Sequence, residues 1–133
     1  MAFDSDGTGR EGAIVADELA LVRGGIAAVL EARGLEVLAQ TRSGRELVSL
    51  ATVERPELVV VGAPADLDVA DVVRRLARLR PHPRIVVLLP PAQEHVVRYL
   101  LGLGASGIAL RSVDADLNSA FDRLIEQTDT RPK

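Results

Sequence analysis

Residues 56 to 62 read Pro-Glu-Leu-Val-Val-Val-Gly, and this stretch decides the fold. Its four consecutive apolar residues, Leu58 to Val61, lie between a proline and a Gly-Ala-Pro sequence. A short apolar run with such boundaries is typical of a strand that is buried on both faces of a parallel sheet. Ligands and catalytic groups collect beyond the carboxyl ends of the strands in these sheets, so the residue that leaves this strand should face any site. That residue is Gly62, which has no side chain.

The composition predicts one domain that does not bind nucleic acid by itself. The 133 residues are 47% hydrophobic, which is enough for a single core of substantial size. We expect a leader at 1–11, one domain at 12–128, and a polar tail at 129–133 that is a candidate start of a linker. Aromatic residues make up only 2% and the net charge is -3, so neither base stacking nor phosphate-backbone binding is supported.

The N-terminal sequence and the absence of cysteine bear on location. Residues 1–7 lack the basic start and apolar core of a signal peptide, and no apolar run reaches membrane-spanning length. Without cysteine there is no disulfide framework and no thiolate metal site. We therefore expect a cytoplasmic chain without a membrane segment.

Short apolar runs alternate with longer helical patterns along the whole chain. They predict five strands and five helices, with the strands at 13–16, 35–41, 58–61, 84–89 and 108–110. Four of the helices are predicted at about 19–32, 68–80, 91–103 and 113–128, and the remaining one, the second, begins after Ser43 and contains residues 47–53. Short loops between them imply parallel pairing, right-handed crossovers and helices on both faces of the sheet. The predicted class is therefore α/β, a doubly wound five-stranded parallel sheet with the flavodoxin-like order 2-1-3-4-5. Its site would lie at the ends of the first and third strands, where Asp17-Glu18 and Gly62 stand.

Capping and charge patterns support two of these helices. Ser43 with Glu46 three residues later has the spacing of a capping box, which predicts the start of the second helix. Asp71 lies three and four residues before Arg74 and Arg75, so local ion pairs explain this basic cluster better than a nucleic-acid patch does. The predicted apolar side of the second helix comprises Leu47, Leu50, Ala51 and Val53.

Three stretches resemble the receiver (CheY-like) domain of bacterial response regulators, in particular the receivers of LuxR-like transcription factors. The first runs from Ile14-Val-Ala-Asp-Glu18 into Leu21-Val-Arg and Gly25-Ile, and the second from Ser43-Gly44 through Arg55-Pro-Glu-Leu-Val-Val-Val61. The third is Gly102-Leu-Gly-Ala-Ser-Gly107, which resembles the turn before the family's fifth strand. The resemblance covers residues 13 to 127.

The resemblance implies a site for magnesium-assisted phosphoryl transfer, and several of its positions differ in this chain. Such a transfer needs an accepting aspartate, an acidic pair for the metal, a hydroxyl and a lysine. Asp17 and Glu18 match the acidic pair, whereas Gly62 stands at the position of the accepting aspartate. Leu89 stands at the hydroxyl position and Arg111 at the lysine position. Ile108 stands at the switch-aromatic position, where the family usually has an aromatic residue that rotates inward on activation. The resemblance therefore implies a degenerate pseudo-receiver that is not phosphorylated on aspartate.

Two accounts of the acidic pair remain. Asp17 and Glu18 are a weak candidate magnesium site, because two acids offer few ligands to a cation that binds several oxygens. The account we favour is a salt bridge from Arg111 to one of them, since arginine suits two-point contact with a carboxylate. We therefore expect no cofactor.

The expected function is signal transduction and transcription regulation through protein association, with a homodimer as the expected state and a DNA-binding domain as a partner in a longer chain. Receivers commonly pair through the last two helices or the first and last helices. Here the candidate dimer face comprises Val96, Tyr99, Leu100, Leu103, Phe121 and Leu124, with the apolar first helix as a second candidate. The alternative is a ligand sensor with a small molecule in the emptied pocket, lined by Gly62 and Leu89 and anchored by Asp17, Glu18 and Arg111. No nucleophile motif or phosphate loop indicates an enzyme.

Overall fold

A five-stranded parallel sheet forms the centre of the computed structural model, which describes residues 12–110. The predicted leader, last helix and tail, and with them Arg111, Phe121 and Leu124, lie outside the described residues. The strands are β1 (Gly12–Ala16), β2 (Glu36–Thr41), β3 (Leu58–Val61), β4 (Arg84–Leu89) and β5 (Gly107–Leu110). The helices are α1 (Ala20–Ala32), α2 (Gly44–Glu54), α3 (Val69–Leu76) and α4 (Val97–Leu103), with a 3₁₀ segment at Pro91–Val96 before α4.

The strand order is β2-β1-β3-β4-β5, and every neighbouring pair is parallel. This confirms the predicted flavodoxin-like sheet. β3 lies between β1 and β4, and all four of its residues are buried. Val59 and Val61 pack into the core that contains α2, α3 and α4, whereas Leu58 and Val60 pack into the core on the α1 side. The strand is continuously apolar because side chains alternate between two buried faces.

The two middle helical patterns differ from the predictions in their extent. α3 ends at Leu76 and not near residue 80. The Ala77 amide still bonds to a carbonyl four residues back, but the amides of Arg78 and Leu79 bond to carbonyls three residues back. The pattern at 91–103 divides into the 3₁₀ segment and α4, with a kink at Gln93, whose φ is -107°. Proline lacks an amide hydrogen, so Pro90 and Pro91 weaken the start of a regular helix here.

The prediction that Val53 lies on the apolar side of α2 is wrong. Leu47 and Ala51 are buried and Leu50 is half-buried, as predicted, but Val53 is 76% exposed. Two residues beyond Ala51 correspond to about 200° of helical rotation, which turns Val53 away from the core. Within residues 12–110, no helix combines the length and apolar character that a bilayer crossing requires.

Candidate functional site

The carboxyl edge of the sheet brings the ends of β1 and β3 together. The amide of Gly62 donates to the carbonyl of Ala16 at 2.8 Å, and the amide of Glu18 donates to the carbonyl of Ala63 at 2.8 Å. These two bonds continue the β1–β3 ladder beyond the last strand residues. Asp17 and Gly62 therefore lie side by side, although 45 positions separate them in the sequence.

The Asp17 side chain lies over Gly62. Its Oδ1 accepts the amide of Leu19 at 2.9 Å and its Oδ2 accepts the amide of Ala63 at 3.0 Å. The residue is only 1% exposed. A Cβ added to Gly62 would lie 3.1 Å from Asp17 Cγ and would collide with Oδ2. The carboxylate thus occupies the space into which a side chain at position 62 would extend.

A residue that sequence reasoning missed, Arg23, holds the backbone of the acidic pair. Its Nη1 donates to the carbonyl of Asp17 at 2.8 Å and to that of Glu18 at 3.3 Å. Arg23 lies in the first turns of α1, so its side chain reaches back over the loop that precedes the helix. No spacing rule predicts a contact from an arginine to carbonyl groups of a preceding loop, and the sequence carried no other signal for it.

The carboxylates of Asp17 and Glu18 do not fit the magnesium site that the resemblance implies. Magnesium demands near-octahedral oxygen coordination, commonly with waters and one or more carboxylates. Both Asp17 oxygens accept backbone amides, Glu18 is exposed, and position 62 contributes no carboxylate. In the part of the chain that the structure describes, no three acidic or histidine side chains converge. The predicted salt bridge from Arg111 falls outside that part and stays a prediction.

Leu89 and Ile108 are packed as core residues. Leu89 ends β4, is 2% exposed and belongs to the core on the α2–α3 side of the sheet. Ile108 in β5 is partly buried and packs against the same core. At the hydroxyl and switch-aromatic positions of the resemblance, this chain therefore places aliphatic groups without any capacity to hydrogen-bond.

A half-open cavity of about 210 Å³ lies beyond the ends of β3 and β4. It separates the loop between β3 and α3 from the segment that follows β4. Gly62 and Leu89 line it, as the ligand-sensor alternative expected, but Asp17 and Glu18 do not. Its charged side chain is that of Asp68, and Gln93 supplies an amide. The remaining lining residues are Ala63, Pro64, Leu67, Val69, Leu88 and Pro90.

The loop between β3 and α3 is attached to the start of α2 by Asp66. Its carboxylate accepts the Ser43 hydroxyl at 2.8 Å and the amides of Gly44 and Arg45 at 2.6 and 3.4 Å. The Ser43 hydroxyl lowers the pKa of Asp66 most strongly, the two amides lower it further, and the opposing effect of desolvation is outweighed. A carboxylate at a helix N-terminus is also favoured by the helix dipole.

Ser43 caps α2, as its spacing predicted. Its hydroxyl oxygen accepts the Glu46 amide at 3.0 Å. Glu46 does not complete a reciprocal capping box, because its carboxylate accepts the hydroxyl of Thr41 instead. The Ser43 amide donates to that same Thr41 oxygen at 3.0 Å. The start of α2 is therefore held by one local cap and by the distant Asp66.

The candidate dimer face is only partly a surface. Tyr99 is 54% exposed, and its hydroxyl accepts a hydrogen bond from Arg74 at 2.9 Å. Arg74 also pairs with Asp71 at 2.5 Å, which confirms the predicted local ion pair for this arginine. Leu100 is buried and does not belong to the face, whereas Leu101, beside it, is 45% exposed. Val96 and Leu103 are partly buried against the core.

The N-terminal part of α1 presents a second apolar surface. Leu21 is 89% exposed and Leu19, immediately before the helix, is 55% exposed. The buried side of α1 is formed by Ile26, Ala27 and Leu30. The apolar residues of this helix therefore lie on two faces, and only one of these faces packs on the sheet.

Comparisons with known proteins place this geometry among receiver domains. No protein-family model matches the chain, and no curated protein matches it. The signal receiver domain of NarL from Mycobacterium tuberculosis is 19% identical with a TM-score of 0.78, and the match covers 92% of this chain and 99% of that one. The isolated REC domain of RcsB from Salmonella enterica is 19% identical with a TM-score of 0.77, over 93% and 92% of the two chains.

A longer structure is also similar. The RcsB–DNA complex contains a chain that is 22% identical, with a TM-score of 0.75, and the match covers 93% of this chain but 64% of that one. Identities of this size establish the fold, which is the fold of a response-regulator receiver domain.

Proposed function

We propose that this chain is a receiver-like domain that acts in signal transduction and transcription regulation through protein association, without phosphorylation of an aspartate and without catalysing a reaction. The observation that carries the proposal is the position of Asp17. Its carboxylate fills the space above Gly62, where the resemblance puts the accepting aspartate. A domain organised in this way would have one permanent conformation at the site in place of a switch.

The nearby carboxylates support this proposal. Aspartyl phosphorylation needs an accessible carboxylate nucleophile. Asp17 is 1% exposed, and two amides bind its oxygens. Asp66, the first acidic residue after Gly62, is bound to the start of α2. Neither of these two carboxylates is placed as a free substitute for the missing one. Asp68, the next acidic residue, is exposed at the cavity that Gly62 also lines, and a phosphorylation assay decides whether it can accept a phosphoryl group.

Exposed apolar side chains support association. Tyr99 and Leu101 on α4 are each about half exposed, and Leu21 on α1 is almost fully exposed. Exposed apolar surface is where sites for protein association form. We propose that one of these two surfaces, on α4 or on α1, forms a homodimer.

DNA binding is assigned to another domain. The net charge of -3 does not favour contact with a phosphate backbone. RcsB, a structural neighbour, was determined in complex with DNA, and this chain matches 64% of it. By analogy, this domain would control the pairing of a DNA-binding domain in a longer polypeptide.

Beryllofluoride with magnesium, a mimic of the aspartyl phosphate, tests the proposal. We expect light scattering to give the same dimeric mass with and without the reagent, and acetyl phosphate to leave the intact mass unchanged. A receiver that retains its accepting aspartate is the positive control for both reagents. A change in mass or a phosphoryl adduct on this chain would show that a carboxylate near Gly62 is an acceptor, and the proposal would fail.

Ligand sensing is a second candidate function, and the cavity beyond β3 and β4 favours it. Gly62 and Leu89 both line the cavity. Gly62 is smaller than the aspartate that the phosphoryl chemistry requires at its position, and Leu89 is more apolar than the required hydroxyl residue. Its polar groups, Asp68 and Gln93, differ from the predicted anchors. A ligand there would bind beside the buried Asp17 carboxylate and not on it.

A further inference from the structure

We propose that the cavity beyond β3 and β4 binds a small apolar molecule that carries a cationic, hydrogen-bond-donating group, such as an arylalkyl amine. This inference rests on the second candidate function, ligand sensing, and is independent of whether the chain forms a dimer. Its basis is the combination of an aliphatic wall, a limited volume and the carboxylate of Asp68 at one place.

The size of the cavity limits the ligand. Its volume is about 210 Å³. A cavity of about 150 Å³ accommodates benzene, and pockets for drug-sized ligands begin at about 300 Å³. A single ring, or an aliphatic group of similar size, with a short side chain that extends toward the open side therefore fills the cavity.

The walls of the cavity favour an apolar body. The aliphatic lining comes from both sides, with Pro64, Leu67 and Val69 from the β3–α3 side and Leu88, Leu89 and Pro90 from the β4 side. Apolar walls with a few polar groups are the usual composition of small-molecule sites. The wall is held in place as well, because Asp66 attaches the β3–α3 loop to α2.

The polar end of the cavity favours a donor. Asp68 is the N-cap residue of α3, yet its side chain makes no capping hydrogen bond. Within residues 12–110, no other group donates a hydrogen bond to its carboxylate. Asp68 is exposed, so water solvates its carboxylate in the free chain. A carboxylate only accepts hydrogen bonds, so a ligand that replaces this water must donate to it, and a positive charge strengthens the contact.

An anionic ligand is disfavoured at the same place. Helix N-termini attract anions, and at α3 the carboxylate of the N-cap residue Asp68 opposes that attraction. The Asp68 side chain therefore supplies the negative charge of the cavity, whereas Asp66 in the same loop is paired with Arg45 at 3.8 Å and does not line the cavity. The local field therefore selects a cation over a carboxylate of the same shape.

Nuclear magnetic resonance titration of the full chain tests the proposal. The probe is 2-phenylethylamine, with 2-phenylethanol and 3-phenylpropionate as neutral and anionic analogues of similar size. We expect amide shifts at Ala63, Val69 and Leu89 with the amine, weaker binding of the alcohol, and none of the acid. Asp68→Asn should weaken binding of the amine about tenfold.

The controls separate a specific site from loss of structure. Asp71→Asn removes an acidic residue from the first turn of α3 that does not line the cavity, and it should leave the affinity unchanged. Leu67→Trp adds a ring at the cavity wall and should abolish binding, while the remaining amide spectrum reports an intact fold.

Three outcomes would overturn the proposal: no shifts at millimolar amine, shifts outside the cavity, or equal affinity of the wild type and Asp68→Asn. Light scattering of the same samples, without ligand, reports the association state separately. A dimer that binds no amine would leave the association proposal standing, whereas a monomer that binds the amine would contradict association alone.

Discussion

The carboxylate of Asp17 occupies the space that a side chain at the position of Gly62 would need. A Cβ at position 62 would lie 3.1 Å from Asp17 Cγ and closer still to Oδ2, which accepts the Ala63 amide. The glycine therefore creates the space in which a neighbouring acid is buried. An aspartate introduced at position 62 would not fit unless the Asp17 side chain also moved.

The first prediction concerns this exclusion. Gly62→Ala should destabilise the chain by about 1–3 kcal/mol, since the added methyl group is forced against the Asp17 side chain. Asp17→Ala should also destabilise it, because two amides lose their acceptor. In the double variant the two losses should be less than additive, since the second alanine provides room for the first. Urea unfolding of the four proteins measures the coupling.

Gly24 provides the matched control for that series. It lies in α1 with nothing within 4 Å of an added Cβ. Gly24→Ala should therefore stabilise the chain by up to about 1 kcal/mol, because alanine has the higher helix propensity. Strictly additive effects of the Asp17 and Gly62 substitutions would contradict the steric account.

The second prediction concerns Arg23. Arg23→Met keeps much of the aliphatic stem but removes the donors to the carbonyls of Asp17 and Glu18. We expect a loss of about 1–2 kcal/mol in the free energy of unfolding, as for other hydrogen bonds from charged groups. Arg98→Met, at an exposed position of α4, should change stability by less than about 0.5 kcal/mol. Equal effects of the two substitutions would argue against a positioning role for Arg23.

The third prediction concerns acid stability. The pKa of Asp66 is lower in the folded chain than its ordinary value of 3.8, chiefly because the Ser43 hydroxyl binds the carboxylate. Between the two pKa values the unfolded chain binds the extra proton, so stability falls as pH falls. The contribution of the ionised carboxylate is complete above about pH 3.8 and is lost as pH drops through the folded value.

Comparison with Asp66→Asn measures this contribution. The wild type should unfold at a higher urea concentration than the variant at pH 7, and the difference should narrow only below pH 3.8. Asp68→Asn serves as the control, because its side chain makes no capping hydrogen bond. A difference between wild type and Asp66→Asn that stays constant down to the lowest pH would refute the assignment.

The fourth prediction distinguishes the two candidate dimer surfaces. Leu101→Asp places a charge on the exposed face of α4, and Leu21→Asp does the same on α1. A buried, unpaired charge strongly disfavours an interface, so the substitution at the true surface should convert the dimer to a monomer. Sedimentation or light scattering identifies which one does so. If both variants remain dimeric, neither surface forms the interface.

Much of the fold could be predicted from the sequence because its signals are local. The apolar run at Leu58–Val61 and the run at Arg84–Leu89, which forms β4, identify strands by composition and by their flanking prolines and glycines. Ser43 likewise marks the start of α2, because a cap acts within three residues. Helix ends were less predictable, since the change to shorter-range hydrogen bonds after Leu76 leaves no mark on the hydrophobic pattern.

By itself the sequence determined where the apolar runs that form the strands occur along the chain, and that position 62 has no acidic side chain. Only the tertiary structure decided that Asp17 lies over Gly62, that Asp66 binds the start of α2, and that Arg23 holds the loop before α1. These contacts join segments 5 to 46 positions apart. Their partners are set by where the ends of neighbouring strands meet and by which way each side chain turns there. Periodicity carries no information about that geometry, because it reports only which face of each element is buried.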